Sequence, residues 1–349
     1  MELFKKAEEE LYFGNIKKAL EILDKLEKSD KVHYLKGVAL YKLGKISEAI
    51  EELKKAIEIN PDNHEVYSFL GNIYLDLGDF DKAVKYFEKA VSAKEKPEYY
   101  NDLGYAYHQL GMYTQAIKNF EKAISLNPNL AESYYNKGLS LRKLGKYKEA
   151  VREYNKAIAI NPDDPDYHYN KGIALRLSGK PDKAVHAYRQ AVKLNPSFYK
   201  AWNNLGNAYY DLGKLDRALE SYKKSVEINP DFFLGWQNIG NVYLDKGEYK
   251  KAVEAFKRAI KIKPDCSGCY MDMGIALKEL GRYDEALEAY EKAVKINPDM
   301  EALAYYNRGC LYASKGEKDK ALIELEKAFK KDPSLKDYAK EDPDLKGIF

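Results

Sequence analysis

The sequence predicts an all-α protein built from repeated helix–turn–helix units, because three positions recur together along the chain. A glycine returns every 33 to 35 residues, an alanine follows each glycine by twelve residues, and a large apolar residue follows each alanine by four. The nine glycines are Gly37, Gly71, Gly104, Gly138, Gly172, Gly206, Gly240, Gly274 and Gly309. A period of this length is the mark of a repeat array, in which each repeat contacts only its neighbours. We therefore expect one elongated array rather than separate globular domains.

The segment 199–232 shows why each repeat should fold as a helical hairpin. Apolar residues follow helical spacing as far as Gly213, which is suited to end the first helix. A second helix is predicted through Ala218 and Tyr222, and Pro230 ends it because proline cannot continue the hydrogen-bond ladder. Small residues at the predicted crossing point allow the two helix backbones to approach closely.

The same segment resembles a tetratricopeptide repeat (TPR) at every landmark of that family. The landmarks, at the family's spacing, are Trp202, Leu205, Gly206, Tyr209, Ala218, Tyr222 and Pro230. The resemblance implies helix pairs stacked into a right-handed superhelical solenoid. It also implies that the first helix of each pair lines a concave groove.

The repeat sets the predicted organisation of the chain. Residues 1–29 form a degenerate N-terminal capping repeat, in which Ala7 stands where the glycine is expected. Nine TPR units fill 30–335, and a C-terminal capping helix and tail fill 334–349, with the tail residues Leu345 and Phe349 lying back on that helix. The nine predicted repeats span 30–63, 64–96, 97–130, 131–164, 165–198, 199–232, 233–266, 267–301 and 302–335.

Composition and charge exclude several classes of function. The 58 basic and 55 acidic residues nearly balance, and the predicted groove positions hold more acidic than basic residues, so no nucleic-acid partner is expected. No stretch of 18 apolar residues indicates a membrane span, and the acidic N-terminus does not resemble a signal peptide. We expect a cytoplasmic protein.

Motifs for catalysis are absent from the sequence. It has no nucleophile elbow, no phosphate-binding glycine loop and no HExxH motif, so we expect neither an enzyme nor a cofactor. Cys266 and Cys269 form a CxxC pair without the βαβ pattern of redox proteins. Three interpretations stay open: incidental loop residues, a reversible disulfide, or weak candidates for a metal shared between chains. No metal site is predicted.

The predicted groove contains a row of asparagines. In the TPR family, places 2, 5, 6, 9, 12 and 13 of each repeat face the groove, counted from its first residue. The candidate peptide-binding residues at these places are Asn136, Asn170, Asn204, Asn238, Asn307, Asn207, Asn241, Tyr135, Tyr169, Arg142 and Arg176. An amide both donates and accepts hydrogen bonds, which suits it to the backbone of an extended peptide.

This asparagine row is similar to the one in the TPR half of protein O-linked N-acetylglucosamine transferases, although we expect no glycosyltransferase domain here. Two other interpretations remain: the amides cap or bridge neighbouring helices, or they reflect repeat duplication. Arg142 and Arg176 are suited to carboxylates, but the lysine-and-arginine carboxylate clamp of TPR co-chaperones is absent.

We therefore predict a non-catalytic protein–protein interaction scaffold or adaptor that binds an extended peptide or protein segment in the groove. One alternative is a self-associating structural protein that stacks through its end caps, so weak self-association is a possible property. The other is a regulatory subunit that presents substrates to a separately encoded enzyme.

Overall fold

The computed structural model describes residues 2–348, and within that range all regular structure is helical. The chain divides into two compact parts, residues 1–178 and 179–349, which we call the N-terminal half and the C-terminal half. The all-α class and the repeated helix pairs predicted from the sequence are confirmed.

The N-terminal half contains eleven helices among its described residues. They are α1 (Glu2–Tyr12), α2 (Ile16–Leu23), α3 (Asp30–Lys42), α4 (Ile46–Ile59), α5 (His64–Asp76), α6 (Phe80–Ala93), α7 (Pro97–Gln109), α8 (Tyr113–Leu126), α9 (Ala131–Lys143), α10 (Tyr147–Ile160) and α11 (Pro165–Leu177).

The C-terminal half contains ten α-helices among its described residues. They are α12 (Pro181–Leu194), α13 (Tyr199–Asp211), α14 (Leu215–Ile228), α15 (Phe233–Asp245), α16 (Tyr249–Ile262), α17 (Ser267–Glu279), α18 (Tyr283–Ile296), α19 (Glu301–Ser314), α20 (Lys318–Lys331) and α21 (Leu335–Glu341). Two short 3₁₀ helices cover Pro298–Met300 and Pro343–Leu345.

Glycine makes the turn inside each helical hairpin. Gly44 has φ of 76° and Gly213 has φ of 69°, both in the left-handed region that glycine adopts without steric penalty. The turn reverses the chain and lays the second helix back along the first. Each helix within a half then packs against the next, and first helices such as α7 and α9 also contact one another.

A second glycine lies where the two helices of a hairpin cross. A Cβ atom added at Gly206 would lie 2.5 Å from Cε1 of Tyr222, and one added at Gly138 would lie 2.5 Å from Cε1 of Tyr154. Both rings are almost fully buried. The absence of a side chain at this place therefore lets an aromatic ring of the second helix fill the centre of the hairpin.

The two ends of the chain depart from the regular repeat. Ala7 is fully buried in α1, where its small side chain replaces the crossing glycine. The helix predicted to cap the C-terminal end of the array corresponds to α21, which ends at Glu341. Leu345 is buried in a cluster that includes Ala339 of α21 and also Leu325 of α20. Phe349 lies outside the described residues.

We predict that Gly206→Ala lowers the unfolding free energy by up to about 2 kcal/mol. The added methyl group must displace the buried Tyr222 ring, at a cost of about 1–3 kcal/mol, against a helix-propensity gain of about 1 kcal/mol. Urea unfolding followed by circular dichroism measures the change.

The matched control for this prediction is Gly268→Ala in α17. A Cβ there would meet only the flexible side chain of Gln237, at 3.3 Å, so we expect stability to be unchanged or slightly increased. Equal unfolding midpoints for the two variants would contradict the proposed role of the crossing.

Candidate functional site

The residues predicted to line the groove lie on the first helices of the repeats. These are α5, α7, α9 and α11 in the N-terminal half and α13, α15, α17 and α19 in the C-terminal half. Within each half, we call the surface formed by places 2, 5, 6, 9, 12 and 13 of these helices the first-helix face of that half. Its polar side chains contact one another mainly between successive repeats.

In the N-terminal half, the place-six asparagines donate to place five of the preceding repeat. Asn136 Nδ2 donates to Asn101 Oδ1 at 3.3 Å, and Asn170 Nδ2 donates to the hydroxyl of Tyr135 at 3.0 Å. Asn101, Asn136 and Asn170 are all buried. These amides bridge neighbouring first helices, which was one of the interpretations left open by the sequence.

The same bond recurs in the C-terminal half. Asn238 Nδ2 donates to Asn203 Oδ1 at 2.9 Å, and Asn307 Nδ2 lies 3.2 Å from the thioether sulfur of Met271. The partners are separated by 35 or 36 residues in every case. An amide at place six with a hydrogen-bond acceptor 35 or 36 residues earlier is the sequence feature that identifies the contact, and the repeat period alone does not show it.

The place-nine asparagines differ in their hydrogen bonding. Asn207 Nδ2 donates to Asn204 Oδ1 at 3.2 Å, and Asn207 Oδ1 accepts from the hydroxyl of Tyr222 at 2.8 Å. Asn241 Oδ1 is buried and has no hydrogen-bond partner among residues 2–348. Asn207 therefore connects the place-six residue Asn204 of α13 with Tyr222 of α14, the second helix of the same hairpin.

A second row of inter-repeat bonds joins place twelve to place thirteen of the next repeat. The hydroxyl of Tyr210 donates to Asp245 Oδ2 at 2.5 Å, and the hydroxyl of Tyr41 donates to Asp76. Sequence reasoning treated these acidic residues only as part of the groove's charge. In the structure they also fix the spacing of the C-terminal ends of the first helices.

The predicted arginines and tyrosines are partly buried on this face. Arg142 and Arg176 are half-buried, and Nε of Arg142 is buried without a hydrogen-bond partner in the described part of the chain. Tyr135 packs between Tyr154 and Tyr167, with ring centroids 5.9 and 4.8 Å away. Burial raises the pKa of Tyr135, so its hydroxyl is neutral at physiological pH. Tyr169 is half-buried.

Two place-six positions carry a carboxyl group instead of an amide. Burial, together with the nearby charge of Glu132, raises the pKa of Asp102 to about 7. Burial likewise raises the pKa of Asp272 to about 6, despite a hydrogen bond from Gln237 at place five of the preceding repeat. Near neutral pH, a substantial fraction of Asp102 is therefore uncharged.

The cysteines of the CxxC pair are joined to each other. Cys266 and Cys269 form a disulfide at the start of α17, where the backbone N–H of Cys269 also lies 3.3 Å from the sulfur of Cys266. Of the three interpretations left open by the sequence, the structure shows the disulfide bond. Its sulfur atoms are consequently not free thiolates for a metal in this structure.

One further set of side chains has the composition of a metal site. Ligand atoms of Cys310, Asp342 and Asp344 lie within 4.8 Å of one another. However, the ammonium group of Lys278 pairs with Asp344, and the hydroxyl of Tyr306 donates to Asp342 at 2.7 Å. Protein donors already compensate these carboxylates, and we assign no metal to them.

Stacked helical hairpins with a polar first-helix face define an α-helical repeat protein. Family models described as "TPR repeat" and "Tetratricopeptide repeat" match segments that together cover most of residues 37–335. The matched residues are 37–78, 64–97, 104–145, 138–179, 169–232, 233–266, 268–300 and 302–335. The chain belongs to the tetratricopeptide repeat family.

Relatives resemble only parts of this chain. TPR repeat-containing proteins MJ1428 and MJ0940 of Methanocaldococcus jannaschii are each 37% identical, over 82 and 87 residues, or 23% and 24% of this chain. The matches span 14% and 27% of those relatives' own lengths.

A solved structure supports the fold alone. It is the C-terminal part of a TPR repeat-containing protein from Cytophaga hutchinsonii, which is 20% identical with a TM-score of 0.54. The match covers 65% of this chain and 94% of that one. Across residues 2–348, the helices are too short or too polar to cross a membrane.

We predict that Asp102→Asn stabilises the protein more at pH 8 than at pH 5. Because the folded state raises the pKa of Asp102 from 3.8 to about 7, it binds the proton more tightly than the unfolded state does. The unfolding free energy contributed by this group therefore falls as pH rises from about 4 to about 7. Asparagine does not ionise and avoids that loss.

Thermal unfolding at the two pH values tests this expectation, with a gain on the order of 1 kcal/mol or more at pH 8. Glu51→Gln on the exposed surface of α4 is the control for a general effect of removing one negative charge. A pH-independent effect of Asp102→Asn would show that Asp102 is ionised throughout.

Proposed function

We propose that this protein is a non-catalytic scaffold that binds an extended protein segment along its first-helix face. Its family and its fold are typical of protein–protein interaction. The observation that carries the proposal is the state of the place-six amides. Asn136, Asn170 and Asn238 each donate through Nδ2 to the preceding repeat, and among residues 2–348 their Oδ1 atoms make no hydrogen bond.

This arrangement suits the amides to a second role. The hydrogen bond to place five fixes the side chain, so the carbonyl oxygen is held in a defined position before a ligand arrives. An extended segment presents backbone N–H groups regularly, and each bond to such an oxygen contributes about 0.5–1.5 kcal/mol. We include in this proposal the similarity of these amides to the asparagine row of protein O-linked N-acetylglucosamine transferases. Bridging and ligand binding are then compatible.

The distribution of charged residues on the first-helix face of the N-terminal half indicates how a ligand would be oriented there. Exposed acidic residues occupy place two of four successive repeats, namely Glu65, Glu98, Glu132 and Asp166. Arg142 and Lys143 lie at the opposite, C-terminal end of one of these helices, α9. A segment with basic side chains toward the acidic row and a carboxylate toward Arg142 matches this pattern.

Site-specific photo-cross-linking in the full-length chain tests the location of binding. A photoreactive phenylalanine analogue replaces Tyr105 or Tyr210, which are on the first-helix face and 38% and 37% exposed. Control positions are Ile59 and Ile323, which lie on second helices and are each 52% exposed. We expect a protein cross-linked from Tyr105 or Tyr210 that is not captured at the control positions.

The double substitution Glu98→Lys with Glu132→Lys tests the charge pattern on that partner. We expect its affinity to fall by about tenfold or more, equivalent to about 1.4 kcal/mol, with unchanged helical content. Both side chains are exposed and make no hydrogen bond among residues 2–348, so the fold does not depend on them. Cross-linking confined to Ile59 and Ile323 would place the binding surface elsewhere.

A further inference from the structure

The C-terminal segment of the chain, Asp342–Ile348, lies against the first-helix face of the last repeats. Asp342 Oδ2 accepts a hydrogen bond from the hydroxyl of Tyr306 at 2.7 Å and lies 3.6 Å from the sulfur of Cys310. Tyr306 and Cys310 occupy places five and nine of their repeat. The segment thus covers positions that face ligands in the TPR family.

A buried lysine makes the second polar contact with this segment. Lys278, at place twelve of α17, pairs with Asp344 and, at 2.8 Å, with Glu279; its side chain is 8% exposed. Burial by itself lowers the pKa of Lys278, but the hydrogen bonds that its ammonium group donates to Asp344 and Glu279 raise the pKa above its ordinary value. A buried ammonium group is stable only with such partners, so this site favours an acidic occupant.

Apolar side chains complete the contact. Leu345 is 2% exposed and Ile348 9% exposed, in a cluster that also contains Leu325 and Ala328 of α20. The segment therefore presents two carboxylates two residues apart, followed directly by a buried aliphatic residue. We call the surface formed by Lys278, Tyr306, Cys310 and Leu325 the C-terminal acceptor site.

The position of Asp342 shows what this segment replaces. Asp342 follows Tyr306 by 36 residues, the same separation at which Asn307 follows Met271. A carboxylate of the segment therefore occupies the position that an amide of a further repeat would take. Unlike a complete repeat, the segment is held by one short helix and a few side chains.

We propose that the C-terminal acceptor site binds an acidic, extended protein segment with the pattern Asp-x-Asp-aliphatic. The chain's own segment Asp342–Leu345 occupies the site until such a ligand displaces it. The inference rests on the proposed function in that it uses the same first-helix face, and it assigns a ligand class to one end of that face.

Cys310 provides a built-in reporter for this exchange. It is the one cysteine of three outside the disulfide, and it is buried next to Asp342. Burial, together with the charge of Asp342, raises the pKa of its thiol, which slows its reaction with a disulfide reagent. Displacement of the segment exposes the thiol and accelerates that reaction.

The test uses the full-length chain and a fluorescent peptide with the sequence of residues 340–348. In the double variant Asp342→Asn with Asp344→Asn, we expect the peptide to bind at least about tenfold more tightly than to the wild type. Without peptide, Cys310 of the double variant should react at least about tenfold faster, and saturating peptide should slow it again. A peptide carrying both Asp-to-Asn changes should not bind.

Two further variants separate a binding site from a fixed cap. Asp337→Asn is the matched control, because Asp337 pairs only with Lys340 on the exposed side of α21 and should leave both readouts as in the wild type. Lys278→Gln in the double-variant background should abolish peptide binding. Unchanged Cys310 reactivity and unchanged peptide affinity in the double variant would overturn the proposal.

If the double variant loses its helical circular dichroism signal, peptide binding to the wild-type chain tests the proposal instead. Saturable peptide binding that Lys278→Gln removes would support the proposal, and absence of binding up to about 1 mM peptide would overturn it. Tyr105, the cross-linking position that tests the proposed function, lies in the N-terminal half, whereas the C-terminal acceptor site lies in the C-terminal half. A fixed C-terminal cap would leave that result unchanged, so the two proposals fail independently.

Discussion

The crossing of the two helices in each hairpin is the constraint on which the rest of the structure depends. Because Gly206 has no side chain, the ring of Tyr222 lies against the first-helix backbone, and the fully buried Ala218 permits the same close approach from the other helix. A fixed crossing gives each hairpin nearly the same shape. Successive first helices can then meet at the same places repeat after repeat, which makes a regular polar face possible.

That regularity explains the hydrogen bonds of the face. The apolar pattern repeats every 34 residues in most of the chain, whereas the polar bonds join residues 35 or 36 apart, from place five to place six. The offset of one place arises because the contact is made between different places of adjacent repeats. Asn238 and Asn203 hold their helices together in this way, and the amide carbonyl of Asn238 is not used.

Much of the fold could be predicted from the sequence, since the landmarks are local and repeated nine times. The role of the amides could not, because a repeat period shows which residues are equivalent but not which neighbour each contacts. The CxxC pair had the same limitation: Cys266 and Cys269 are close in sequence whether or not they bond. The sequence assigns Asp342 only to the C-terminal capping helix and tail, although its separation from Tyr306 matches the inter-repeat spacing.

The use of a carboxylate at the end of the array has a consequence for exchange. An asparagine at the position of Asp342 would satisfy Tyr306 without charge, as the amides do elsewhere, and would need no counter-ion. The segment instead carries two carboxylates, and Lys278 is buried beside the second of them. Because the segment supplies one of the two carboxylates paired with Lys278, an occupant without a carboxylate would leave the ammonium group with Glu279 alone. The site therefore selects acidic occupants, while its present occupant is held by contacts that a competing acidic segment could reproduce.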